Sequence, residues 1–366
     1  QAQPQQPVQP VRQVVCQRLR PAFELAQVID RFRAGFEQQE TPNLYIRGVL
    51  TTLQQCRTAA LGGHVDRCDA CGHIRISFNS CRNRNCPKCQ GTSRDRWVEN
   101  RKRDLLPVPY FHVVFTVPDG LNRLCLYRPQ LIYNIMFRAV GDTIAQFSYS
   151  RLKAETGMFA ILHTWGQNLS LHPHIHCVIP GGGLDYRNQW KSVDVSANGK
   201  VFLFPVSQLS VVFRAKFVSL LQQALPQDRN FIRLLYRTPW VVYAKEPFGG
   251  PQQVIEYLGR YTHKIAISNH RILNVDDNSV TFSWRDYRDN KQKVMTLSGV
   301  EFLRRFCQHI VPKRFVRIRH YGLLSCAKRK LLREIQQALP DSPTIGQKQP
   351  EIKAKNPCAA PKPDIC

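Results

Sequence analysis

Apolar residues recur at helical spacing near the start of the chain. Over residues 21–39, Phe23, Leu25, Val28, Ile29 and Phe32 fall on one side, and a second helix is expected over 43–61. The period then changes. "YFHVVFTVP", from Tyr110 to Pro118, is a β-branched and aromatic run of strand type. Residues 130–152 return to helical spacing, and two further strands follow in "MFAILHTWGQN" and "LHPHIHCVIPG", too close together for anything but a tight connection. Helices are expected over 206–225, in "QQVIEYLGRYTHK", over 298–309 and over 323–338, and "HRILNVDDNSVTFSWRDYR" predicts a β-hairpin turning at Asp277 and Asn278. The three glycines Gly181, Gly182 and Gly183 lack the lysine of a phosphate-binding loop and predict a sharp turn.

The ends differ from this pattern. Residues 1–11 are rich in Gln and Pro, and from about 340 to 366 Pro, Lys, Gln and Ala dominate; both are expected to be disordered. Between them the order of elements predicts a helical, cysteine-bearing region over 12–100 and an α+β region over 101–339. No apolar run approaches the ~20 residues that a membrane span needs, and no charged-then-apolar leader follows Gln1.

Charge narrows the class of partner. Lys and Arg number 52 against 26 Asp and Glu, a net charge of +26 that repels itself and favours a polyanion, nucleic acid before a membrane surface. Cysteine usage points to metal. Five of thirteen cysteines crowd into residues 64–91 of a chain too large for a disulfide scaffold, as thiols in a reducing compartment would. "CDAC" and "CPKC" supply Cys68, Cys71, Cys86 and Cys89, two knuckles of the kind that hold structural zinc, with Cys81, His64 and His73 left as replacements or as parts of a second site. Arg82, Arg84 and Lys88 alternate with these ligands and are candidates for phosphate contacts.

Two further groups of residues carry candidate chemistry. On a strand, His172, His174 and His176 project to one face, with His172 the least secure because Pro173 interrupts the ladder. Two imidazoles need a third ligand from a neighbouring element: Gln167, seven residues before His174, is the choice, with Asn168 and His163 as alternatives. Imidazole donors favour Zn, Mn or Fe over Mg. On a helix, Tyr257 and Tyr261 stack four residues apart, with Lys264 on about the same face and Arg260 near Tyr257. The same stripe, with Val254 and Ile265, also reads as a buried helix face.

Taken in order, "NSCRNRNCPKCQ", "YFHVVFTVP", "LHTWGQNLSLHPHIHCVIPGGG", "YLGRYTHKIAIS" and "EFLRRFCQHIVPKRFVRIRHYGLL" resemble the rolling-circle insertion-sequence transposases of the two-tyrosine HUH endonuclease type, over roughly residues 20–325. The resemblance implies an antiparallel sheet flanked by helices with the histidines on a central strand. It implies His174 and His176 as ligands of a catalytic Mg or Mn, and Tyr257 and Tyr261 as nucleophiles that leave a 5′-phosphotyrosine on single-stranded DNA at element ends. A bacterial cytoplasmic, nucleoid-associated setting goes with it. The chain shows no GKT or GKS loop of a helicase, so strand displacement is expected from host replication or helicase machinery. The same chemistry would serve a plasmid replication initiator or relaxase, and a non-catalytic zinc-containing DNA-binding protein is the alternative from another class.

Overall fold

A computed structural model of the chain describes residues 20–193, 203–226, 229–244, 253–254, 259 and 265–339. Tyr257, Arg260, Tyr261 and Lys264 lie outside the described residues, as do the two terminal segments.

The first two helices follow their apolar spacing. Helix α1 (Leu25–Glu40) opens with a capping box in which the Glu24 backbone N–H donates to Gln27 Oε1 at 2.8 Å. Helix α2 (Leu44–Gln54) is capped by Asn43, whose Oδ1 accepts from the Ile46 N–H. The cysteine region forms an exposed hairpin, β1 (Gly63–Arg67) and β2 (Ile74–Phe78), then a loop and helix α3 (Gln90–Lys102). Strand β3 (Tyr110–Thr116) leads through α4 (Asn122–Tyr127) to α5 (Pro129–Phe147). Strands β4 (Gly157–Trp165) and β5 (Leu171–Pro180) are followed by a small ribbon of β6 (Gly182–Leu184) and β7 (Trp190–Ser192). Helices α6 (Val206–Ala224) and α7 (Arg229–Arg237) precede β8 (Val241–Ala244). The rest comprises β9 (Ile272–Val275), β10 (Ser279–Asp286), β11 (Lys291–Ser298), α8 (Gly299–Cys307), β12 (Ile318–Gly322) and α9 (Arg329–Ala338).

The centre is a five-stranded antiparallel sheet in the order β12-β4-β5-β3-β8, so β5 occupies the middle. Its register divides the two faces. Val113, Phe115, Ala160, Leu162, Ile175 and Cys177 point into a core shared with Met136, Phe137, Phe213 and Phe217 of α5 and α6. The opposite face carries His112 on β3, Phe159, Ile161 and His163 on β4, and His174, His176 and Val178 on β5. Every residue of β4 is buried, which is why its sequence is apolar without alternation.

The expected sharp turn at Gly181–Gly183 is an extended passage instead. A Cβ on Gly182 would lie 2.5 Å from the Lys191 carbonyl oxygen, and one on Gly183 2.4 Å from that of Glu155, so these glycines allow backbones to touch rather than reverse.

A second core joins distant parts of the chain. Leu25, Val28, Phe36, Val49 and Leu53 of α1 and α2 pack with Ile272, Val280, Phe282, Phe302 and Phe306 from β9, β10 and α8, and with Trp165 at the end of β4. Gly299 starts α8 directly against Phe32, whose ring carbon lies 2.1 Å from where a Cβ would be. The hairpin turn falls at Asp276–Asn278, with Asp276 Oδ1 accepting from the N–H groups of Asn278 and Ser279.

His309 lies sealed between this core and the sheet. Its Nε2 donates to the Leu169 carbonyl at 3.2 Å and its Nδ1 accepts from Thr164 Oγ1 at 3.3 Å. Burial holds its pKa down to about 4 from an ordinary 6.5. Between those values the unfolded chain binds a proton that the folded chain refuses, so stability falls as pH drops through this window. Relative to His309→Gln, the native protein is expected to lose about 2 kcal/mol more between pH 7.5 and pH 5. Urea unfolding at the two pH values measures it, and equal losses in both proteins would contradict the burial argument.

Candidate metal centres

Four thiols converge where α2, the loop 79–89 and the start of α3 meet. The sulfurs of Cys56, Cys81, Cys86 and Cys89 all lie within 4.8 Å of one another. Cys86 Sγ is 3.4 Å from Cys56 Sγ, and Cys81 Sγ is 3.7 Å from Cys89 Sγ. Backbone amides point at the sulfurs, from Cys81 to Cys56 Sγ at 3.5 Å and from Asn83 to Cys81 Sγ at 3.4 Å, as they do around thiolate ligands. Hydrogen bonding with Cys86 draws the Cys81 thiol down to about 5 and, through the same contact, raises that of Cys86; burial pushes Cys89 up to about 11. Crowded thiols of this kind share few negative charges on their own, and four sulfurs around one point are the donor set of tetrahedral zinc.

The set differs from the one the spacing suggested. Cys86 and Cys89 are in it and Cys81, held as a possible extra, completes the loop's contribution. The fourth member, Cys56, lies 25 residues before Cys81 and is returned by the end of α2. Cys68 and Cys71 sit at the turn of the β1–β2 hairpin with His73, where the Cys68 N–H donates to the His73 carbonyl, and the four-thiol group does not include them. His64, on the same hairpin, lies 3.8 Å from Asp66 Oδ2. Two of the proposed phosphate contacts are engaged within the protein: Arg84 Nη1 donates to the Phe315 carbonyl at 2.6 Å, and Lys88 pairs with Glu24 at 2.5 Å. Arg82 is exposed.

The second centre stands on the open face of the large sheet. Ring nitrogens of His163, His174 and His176 lie within 4.8 Å of one another. His163 and His174 are directly paired across β4 and β5, and His176 is two residues along the same face. His163 is held against Trp165, rings 4.7 Å apart and nearly parallel. The ladder slips between His163 and Trp165, at the level of His172 and Pro173. A bulge there accepts proline's missing N–H without breaking the sheet. His172 consequently stands outside the group of converging nitrogens. Its carbonyl instead accepts from His174 Nδ1 at 2.7 Å. A carbonyl only accepts, so Nδ1 of His174 bears the proton and Nε2 offers its lone pair.

His163, one of the alternatives to Gln167, is the residue that stands with His174 and His176 in this group. Gln167 starts the β4–β5 turn, where its amide donates to the Tyr287 hydroxyl at 3.0 Å and its carbonyl accepts from Arg271. One buried residue was missed entirely. His112, on β3, brings its Nε2 to 2.8 Å from Nδ1 of His176. A single histidine in an apolar strand carries no spacing signal, and only the register of β3 against β5 reveals it.

Fold and sites together define a protein with two candidate metal centres, a central antiparallel sheet bearing a histidine cluster beside a thiol-rich N-terminal region. Residues 157–331 match a family model described as "Putative transposase", and residues 28–117 match one described as "Transposase zinc-binding domain". The "Putative transposase y4qJ" of Sinorhizobium fredii is 45% identical over 323 residues, 82% of this chain and 80% of its own length. The transposase for insertion sequence element IS801 of Pseudomonas savastanoi pv. phaseolicola is 29% identical over 290 residues, 75% of this chain and 69% of its own. Among solved structures, the conjugative relaxase TrwC in complex with oriT DNA is similar over 31% of this chain and 42% of that one, at 16% identity and a TM-score of 0.25. The chain belongs to the family of insertion-sequence transposases with an N-terminal zinc-binding domain. Among the described residues no helix is long and apolar enough to cross a membrane.

Proposed function

We propose that this transposase cuts and rejoins single-stranded DNA at the ends of its element, by transesterification through a 5′-phosphotyrosine, in rolling-circle transposition. The observation that carries the reading is the convergence of His163, His174 and His176 on one face of the central strands, with a lone pair of His174 turned outward by its own backbone contact. Three imidazoles suit Mn better than Mg, and a divalent cation of this kind, when bound, would polarise the scissile phosphate.

The remaining steps belong to side chains of the chain. The phenol oxygen of Tyr257 or Tyr261 attacks phosphorus, the bond from phosphorus to the 3′ oxygen breaks, and that oxygen takes up a proton to become a free 3′-hydroxyl. The phenolic proton passes to solvent. One phosphodiester replaces another and no water is consumed, so a 3′-hydroxyl can attack the phosphotyrosine, reform the DNA linkage and release the phenol, while the second tyrosine opens another phosphodiester. Lys264 steadies charge on the phosphate, and Arg82 and Arg260 hold neighbouring phosphates. Cys56, Cys81, Cys86 and Cys89 hold a structural zinc. Host replication or helicase machinery supplies the displaced strand, in a bacterial cytoplasm.

His163→Ala and His174→Ala are expected to lower cleavage of a labelled single-stranded element end in Mn by at least about 100-fold, with DNA binding nearly unchanged. Gln167→Ala is expected to keep both. Gel assays of adduct and of binding decide it. Loss of cleavage in Gln167→Ala with retention in His163→Ala would return the third position to Gln167.

A further inference from the structure

Within that reading of the histidine centre, we infer that His112 is a positioning residue: it accepts the Nδ1 proton of His176 and thereby turns the Nε2 lone pair of His176 to the point shared with His163 and His174. His112 sits diagonally across from His176, since Val114 pairs with His176 and His112 with Val178 on the same sheet face. Both imidazoles are buried, 2% and 7% exposed. Their nitrogens are 2.8 Å apart, their centroids 5.1 Å, and their planes differ by 10°. Nearly coplanar rings with adjoining nitrogens meet edge to edge. That is the geometry of an N–H···N hydrogen bond, because the lone pair of an imidazole nitrogen lies in the ring plane.

One proton serves this contact, and its location has consequences. If His176 donates from Nδ1, its Nε2 is a lone pair available to a cation. If His112 donates from Nε2, His176 must carry its own proton on Nε2, and it ceases to be a ligand. With Nδ1 of His176 engaged by His112, Nε2 is the nitrogen left for the group. A cation therefore selects the first arrangement, and His112 makes it available without rotating a buried ring. The acceptor is a neutral imidazole rather than a carboxylate. It orients the ligand without placing a negative charge beside a site that must receive a DNA phosphate, so the positive charge there stays undiluted.

The test uses the full chain with Mn2+ as the probe, free Mn2+ being counted by electron paramagnetic resonance. His112→Phe keeps a flat ring but no acceptor; His112→Gln keeps an amide oxygen. His112→Phe is expected to bind Mn2+ 10- to 100-fold more weakly, while His112→Gln stays within about threefold of the native protein. Nitrogen-15 spectra of the native chain loaded with Mg2+ are expected to show His176 protonated at Nδ1, a readout that needs no variant to fold. Native affinity in His112→Phe, equal loss in both variants, or a proton on Nε2 of His176 would each overturn the assignment. Failure of the cation reading itself shows differently, as native protein that binds no Mn2+ at the histidine centre.

Discussion

Replacing Tyr257 and Tyr261 together by Phe is expected to abolish the covalent protein–DNA adduct, a loss of at least about 10^3-fold. Binding of single-stranded DNA should remain. Phe keeps the ring and removes only the oxygen that would attack phosphorus, so a packing role predicts almost no change. Residues flanking the tyrosines support the chemical reading. Val254, three positions before Tyr257, is buried with Phe159, Ile161 and Val178. Ile161 pairs with His176 and Phe159 with Val178, on the face that bears the histidines. Gly259, between the tyrosines, approaches α3 so closely that a Cβ would lie 2.7 Å from Val98 Cγ2. Val254 and Gly259 thus both pack on the histidine side of the sheet. Each single substitution is expected to retain adduct formation at one step, and mass spectrometry of the adduct peptide identifies the tyrosine used. An SDS-resistant adduct in the double variant would remove both phenols from the mechanism.

How far the chain could be read before its fold was known depends on the range of the interaction. Helical periodicity located α1, α2, α5, α6 and α8, because each buries a face that repeats at nearly four residues, and continuous β-branched and apolar runs located the paired strands β4 and β5. The pair His174 and His176 was legible for the same reason. What escaped depends on register between segments far apart. Cys56 has no partner at knuckle spacing and joins the thiols only because the end of α2 returns to loop 79–89. Gln167 lies seven residues before His174 and His163 eleven, so separation along the chain favours Gln167, and only the pairing of β4 with β5 shows His163 directly across from His174. His112 needed the β3–β5 register. Chain order also hides that α1 and α2 share one core with β9, β10 and α8, since a contact such as Leu25 N–H to Asn269 Oδ1, at 3.1 Å, spans 244 residues. Short strands such as β8 and β12 lie on the sheet's edges, with too few residues to show a period.

The shared core makes the thiol centre the other site where one atom should matter most. Cys86 is 1% exposed and Cys56 fully buried, and both belong to the cluster that includes Val280, Phe282, Phe302 and Phe306. A zinc held by these four thiols would tie the end of α2 to the start of α3 within the cluster that joins them to α8. Removing one thiolate by Cys86→Ser is expected to release the ion and to cost several kcal/mol, on the order of the whole stability of a typical domain. The damage should extend beyond the N-terminal region and loosen β9, β10 and α8, visible as lost hydrogen-exchange protection around Phe282 and Phe302. The double substitution Cys68→Ser/Cys71→Ser should leave this zinc and its protection in place, because those thiols lie on a hairpin whose residues are almost all exposed and outside the core. Metal analysis per chain, with exchange measured on the same samples, distinguishes the two outcomes. Zinc retained in Cys56→Ser and Cys81→Ser but lost from Cys68→Ser/Cys71→Ser would mean that the ion follows the two C-x-x-C knuckles, and that the four buried sulfurs are only packed together.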